Sequence, residues 1–141
     1  MCGPDRFRRY IAPCYDEFAE MLHARGKKLG SHLDGKMVGL KEAVAETKLD
    51  FIEAFAPFPD GDLPLAEART VWPEKVIWIN YPSALHLGTP ERITEATRQV
   101  IRDVAPGDRF LVGITENIPD QAWQTSMTVI SRVLKEEGQI A

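Results

Sequence analysis

Cysteine is scarce: Cys2 and Cys14 are the only two in 141 residues, and no Cys-x-x-Cys spacing joins them. That excludes a disulfide-stapled scaffold and leads us to expect free thiols in a reducing compartment. Basic residues are in the minority, 17 Lys+Arg against 21 Asp+Glu, for a net charge of −4. A nucleic-acid partner needs a dense basic face, so none is expected. No apolar run approaches the ~18 residues of a membrane span. The stretch from Met1 to Arg9 is charged and has no apolar core, so no signal peptide is read there and a cytoplasmic protein is expected. The phosphate-binding glycine loop, the zincin motif and the serine-nucleophile elbow are all missing. So is the Asp-x-His-x-x-Gly pattern of corrinoid-binding domains.

What is present is an ordinary globular composition, 44% apolar and 27% charged. The length suits about one domain of ~100–200 residues, with a sizeable core. Charge is uneven. Residues 1–30 hold six basic and four acidic side chains, hence +2, and the remainder is −6.

Hydrophobic periodicity gives the elements. Phe7, Tyr10, Ile11, Cys14, Phe18, Met21 and Leu22 recur at helical spacing. Pro13 interrupts them, which predicts a kink or a break with Pro13 early in the second part. Gly26 is a natural helix stop. Leu29 to Leu33 reads as a strand, Met37 to Thr47 as a helix, and Leu49 to Phe55 as a strand. The run 57–62, with its prolines and Asp60-Gly61, is a loop. A short helix from Pro64, a strand over Val76–Asn80, a helix from Thr89-Pro90-Glu91, a strand over Arg109–Ile114 and a helix over Asp120–Glu137 follow. In the last helix Trp123, Met127, Ile130 and Leu134 are expected to face inward. This α-βα-βα-βα-βα order predicts an α/β fold with about four parallel strands alternating with helices. A small doubly wound sheet and half of an eight-stranded βα barrel both satisfy it.

In either architecture ligands bind at the C-terminal strand ends. Those ends carry His32 and Asp34, Glu53, Asn80 and Tyr81, then Thr115, Glu116 and Asn117. His32 and Asp34 are two apart, which on a strand means one face. With Glu53 and Glu116 they form a candidate divalent-metal set. Alternatively His32 is a general base oriented by a carboxylate. The plain reading is that Asp34 caps the next helix and His32 packs under a loop. His23 reads as a solvated helix residue and His86 as a surface loop residue. Trp72, Trp78 and Trp123 read as core builders.

The chain resembles the C-terminal half of the uroporphyrinogen decarboxylase (URO-D) superfamily over nearly its whole length. The resemblance rests on Phe7-Arg8-Arg9-Tyr10-Ile11-Ala12-Pro13, His23-Ala24-Arg25-Gly26, Ser31-His32-Leu33-Asp34-Gly35, Ile52-Glu53-Ala54-Phe55 and Thr115-Glu116-Asn117-Ile118-Pro119, in that order. It implies the C-terminal half of a TIM (β/α)8 barrel, with residues 1–141 as one partial domain lacking its N-terminal half. The superfamily includes metal-free decarboxylases of tetrapyrroles and zinc-dependent methyltransferases that move a methyl group between a corrinoid and a thiol. His32 matches the methyltransferase histidine, but Asp34 stands where their cysteine would be, and Thr115 or Glu116 stands near their later cysteine. The decarboxylases' glycine-histidine motif near the last strand has no histidine here, only Gly113-Ile114-Thr115.

From this the resemblance implies metal-dependent methyl transfer, with porphyrin-type decarboxylation as the alternative. His32 and Asp34 would be catalytic. His32, Asp34, Glu53 and Glu116 would hold zinc or another divalent metal. Phe55, Asn80, Tyr81, Thr115 and Asn117 would line the pocket for a small-molecule substrate. A corrinoid, or a corrinoid protein, would act as substrate or partner. A third expectation is a non-catalytic half-barrel completed by homodimerising or by a separate N-terminal half.

Overall fold

The computed structural model describes residues 3–114 and 118–138. The chain opens on α1 (Pro4–Arg6), a π-helical stretch (Phe7–Ile11) and α2 (Ala12–His23). Pro13 has no N–H to give the carbonyl four residues back, and the expected break is met by this wider turn, in which the Ala12 N–H bonds the Phe7 carbonyl. Gly26, at φ +65°, lets the chain leave α2, and the Lys27 N–H reaches back to the Leu22 carbonyl at 3.0 Å.

Four cycles follow: β1 (Gly30–His32), α3 (Lys41–Ala45), β2 (Phe51–Phe55), α4 (Leu65–Val71), β3 (Val76–Tyr81), a 3-10 turn (Ser83–Leu87), α5 (Pro90–Asp103), β4 (Phe110–Ile114) and α6 (Trp123–Glu137). Thr89 caps α5 by accepting from the Arg92 N–H, and Pro90 fills its first turn. The helix expected over Met37–Thr47 is shorter, and Met37 is instead a buried residue of the preceding loop. Among the described residues no helix is long and apolar enough to cross a membrane.

The sheet is parallel with strands in the order β1-β2-β3-β4. A doubly wound sheet reverses direction at a switch point; this one never does, so right-handed crossovers place every helix on one face. Burial agrees. Ile52, Ile77 and Ile79 are fully buried with Val44, Ala68, Trp72 and Val100 of the helical layer, and Tyr81 with Ile93, Ile130 and Val133. The opposite face is concave and open. It presents Trp78 and Leu111, 38% and 48% exposed. The arrangement is that of a partial (β/α) barrel.

The last helix meets its expected face in part: Ile130 is buried and Leu134 packs against the same cluster, but Ser126, Val129 and Val133 are buried as well and Trp123 is 47% exposed. A buried serine broke the hydrophobic period. Trp72 is core, donating its indole N–H to the Lys41 carbonyl at 2.8 Å, whereas Trp78 and Trp123 are not. His23 is bonded rather than merely solvated, at 2.7 Å from Asp50 Oδ2.

Asp50 ties α2 to the start of β2. Burial by itself pushes its carboxyl up. Bonds from Lys28, His23 and the Leu29 N–H together overcome that and hold it at about 2, below the usual 3.8. A carboxyl depressed on folding stabilises above its unfolded pKa and loses that contribution as pH falls through the folded value. Asp50→Asn is therefore expected to cost on the order of 2 kcal/mol at pH 7. In urea denaturation the gap from wild type closes as pH falls from about 4 to 2.

Candidate functional site

Parallel pairing sets His32 beside Glu53 in register, on the concave face at the C-terminal ends of β1 and β2. Their side chains meet: His32 Nδ1 lies 2.6 Å from Glu53 Oε2. An ionised carboxylate only accepts, so Nδ1 donates its proton to Glu53, and in the neutral imidazole the lone pair is then on Nε2. Nε2 is 3.8 Å from Asp34 Oδ2. The His32 side chain is 58% exposed, within reach of a ligand entering the open face. The His32 ring thus stands between two carboxylates, Glu53 at Nδ1 and Asp34 near Nε2.

Asn80 lies on the same face, paired in register with Gly113. Trp78 sits one layer below. Its indole occupies the space over Gly113, where a Cβ would come within 2.5 Å of Nε1. The concave face therefore has an aromatic floor under a polar rim. Trp78 was legible in principle: strict alternation in β3 groups it with Asn80, against Ile77, Ile79 and Tyr81.

Two expected pocket residues are placed elsewhere. Phe55 is fully buried in the helical layer, edge-on to Trp72 with ring centroids 5.6 Å apart. The register shifts between Ile52 and Phe55, where Ala54 takes φ +60°, and this irregularity turns Phe55 away from the face that Glu53 occupies. Tyr81 is fully buried against α5, its hydroxyl 3.0 Å from Thr97 Oγ1 and 3.3 Å from the Ile93 carbonyl. Adjacent strand residues point to opposite faces, so Asn80 and Tyr81 cannot both line the pocket. Burial pushes the Tyr81 hydroxyl pKa up, although its bond to Thr97 works the other way. Thr115, Glu116 and Asn117 lie outside the described residues.

His86, expected at the surface, is 2% exposed. Its Nδ1 is 2.9 Å from Ser126 Oγ, its ring stands edge-on to Tyr81, and Nε2 has no hydrogen-bond partner. Burial lowers its pKa, with Asp60 acting in the opposite sense. No sequence signal separated it from an ordinary loop histidine.

As a metal site the described donors fall short. Among the described residues no three His, Cys, Asp or Glu side chains gather to hold an ion. His32 Nε2 and Asp34 supply two donors, Glu53 being engaged at Nδ1, where a catalytic zinc site takes three protein ligands. Glu116, the fourth expected ligand, lies outside the described residues.

No curated protein matches the chain. A family model does, over residues 1–135, described as uroporphyrinogen decarboxylase (URO-D). Together with the sequential parallel sheet and its rim, that match establishes that the chain belongs to the URO-D family.

Proposed function

We propose that this rim serves methyl transfer from a corrinoid-borne donor to a thiol, with His32 as the base that activates the thiol. The observation that carries the reading is the 2.6 Å bond from His32 Nδ1 to Glu53, which leaves Nε2 as an oriented, accessible base. In the reaction the thiol proton moves to Nε2, and Glu53 and Asp34 stabilise the imidazolium that forms. The thiolate sulfur attacks the methyl carbon. A sulfur–carbon bond forms as the carbon–cobalt bond breaks, and its electron pair stays with the corrinoid. Imidazolium then returns the proton to solvent. Trp78 offers a flat apolar surface to the body of the substrate, and Asn80 a hydrogen-bonding group at its edge.

The family's name points to decarboxylation of a uroporphyrinogen. The local charge argues for the thiol instead. Asp34 and Glu53 flank His32, and such a field repels the carboxylate side chains of that macrocycle.

The test is to incubate the chain with a methylated cobalamin and a simple thiol and to follow the corrinoid absorbance. Thiol-dependent demethylation is expected, slowed about 10²-fold in Glu53→Gln, which loses the charge that orients and stabilises His32. Release of carbon dioxide from uroporphyrinogen, without thiol-dependent demethylation, replaces this reading with decarboxylation.

A further inference from the structure

We infer that Asp62 is a positioning residue for the His32–Asp34 pair, setting where Asp34 stands by holding the loop between β1 and α3; this rests on the reading of His32 as the base. The loop is pinned at both ends. At its start the Leu33 N–H bonds the Glu53 carbonyl at 2.9 Å. At its end one atom, Asp62 Oδ1, accepts from both the Met37 N–H at 2.6 Å and the Val38 N–H at 3.1 Å. Between the pins lie only Asp34, Gly35 and Lys36.

The turn that carries Asp62 is pressed against this loop. A Cβ at Gly61 would fall 1.9 Å from the Ala56 carbonyl oxygen and 3.2 Å from the Gly35 carbonyl oxygen. The first contact, within the same loop, admits only glycine at 61; the second brings the two loops' backbones close together, and Gly35 itself turns at φ +78°. The loop after β2 therefore holds the loop after β1 by a charged bond and a backbone contact, beside the residue that faces His32 Nε2. The same turn reaches the other way. Asp60 Oδ2 accepts from the Ser83 N–H at 2.7 Å and from Ser83 Oγ at 3.0 Å, tying in the segment after β3. Asp60 and Asp62 thus act on different neighbours, which makes each a control for the other.

The experiment records the ring carbon and proton signals of His32 at one fixed pH. The chain has three histidines, so assignment is direct. Asp34→Ala is expected to move the His32 signals. Asp62→Ala is expected to move them the same way, and Asp62→Asn, which keeps an oxygen at Oδ1, to leave them at the wild-type position. The double variant Asp34→Ala with Asp62→Ala should match Asp34→Ala alone, because Asp62 acts through Asp34. Asp60→Ala should leave them in place. If Asp62→Ala does not fold, Asp62→Glu keeps the charge, displaces the loop and is expected to move the same signals.

Unmoved signals in the folded Asp62 variants, unmoved signals in Asp34→Ala, an equal shift in Asp60→Ala, or additive shifts in the double variant each overturn the inference. In the methyl-transfer assay Asp62→Ala should lower kcat about 10-fold to 10²-fold, with no further loss in the Asp34→Ala background. A wild-type chain without methyl transfer sinks the functional reading and leaves the ring-signal test standing. Unmoved signals in an active chain sink the role of Asp62 alone.

Discussion

Phe55→Ala is expected to destabilise the fold by about 3–5 kcal/mol. The ring is fully buried, set edge-on to Trp72 at an interplanar angle of 88°, and surrounded by α3, α4 and the isoleucines of β2 and β3. Truncation removes its transfer energy and leaves a cavity that a sheet and two short helices cannot close. It also removes the aromatic pair with Trp72. Stability of a domain this size is about 5–15 kcal/mol, so the variant is expected to unfold at markedly lower denaturant with the slope of the transition unchanged. Whatever fraction stays folded should transfer methyl at the wild-type rate. A loss below about 1 kcal/mol together with lost activity would instead place Phe55 in the pocket.

His32→Ala is expected to have the opposite signature: a fall in thiol-dependent demethylation of about 10²–10⁴-fold with little change in stability. The side chain is more than half exposed on the concave face, and a substitution there costs within about 0.5 kcal/mol. On the proposed mechanism the variant loses the acceptor for the thiol proton. Glu53, left without its imidazole, is itself only partly buried and can be hydrated. Tyr81→Phe makes the contrast. It removes a buried hydroxyl from Thr97, which still donates to the Ile93 carbonyl at 2.8 Å. About 1 kcal/mol of stability and no change in rate are expected. Unchanged demethylation in His32→Ala would remove the base from the mechanism. A large rate loss in Tyr81→Phe would return Tyr81 to the pocket.

Much of the fold was legible because its signals are local. The run Val76–Ile77–Trp78–Ile79–Asn80, the cap Thr89-Pro90 and the stop at Gly26 each act over a few residues. The break at Pro13 was legible for the same reason: the missing N–H is a property of the residue itself. The site was partly legible on the same basis. Parallel strands put their C-terminal ends at one rim whatever their order, so His32, Asp34 and Glu53 could be grouped before the sheet was known.

What stayed hidden depends on contacts between distant segments. The turn at Asp60–Asp62 reads locally as a plain loop, and its two carboxylates acquire a role only because Met37, Val38 and Ser83 are brought beside them. The faces of β2 and α6 follow from a bulge at Ala54 and a buried Ser126, neither of which hydrophobicity announces. His86 is buried because α6 folds over it.

Taken by itself, then, the sequence determined four βα units and the chemistry available at their ends, since propensity, capping and strand alternation are short-range. Only the tertiary structure decided between a doubly wound sheet and a partial barrel, and which neighbours share a face. Strand order and register are chosen by packing across the whole sheet, and a single irregular residue reverses every side chain beyond it.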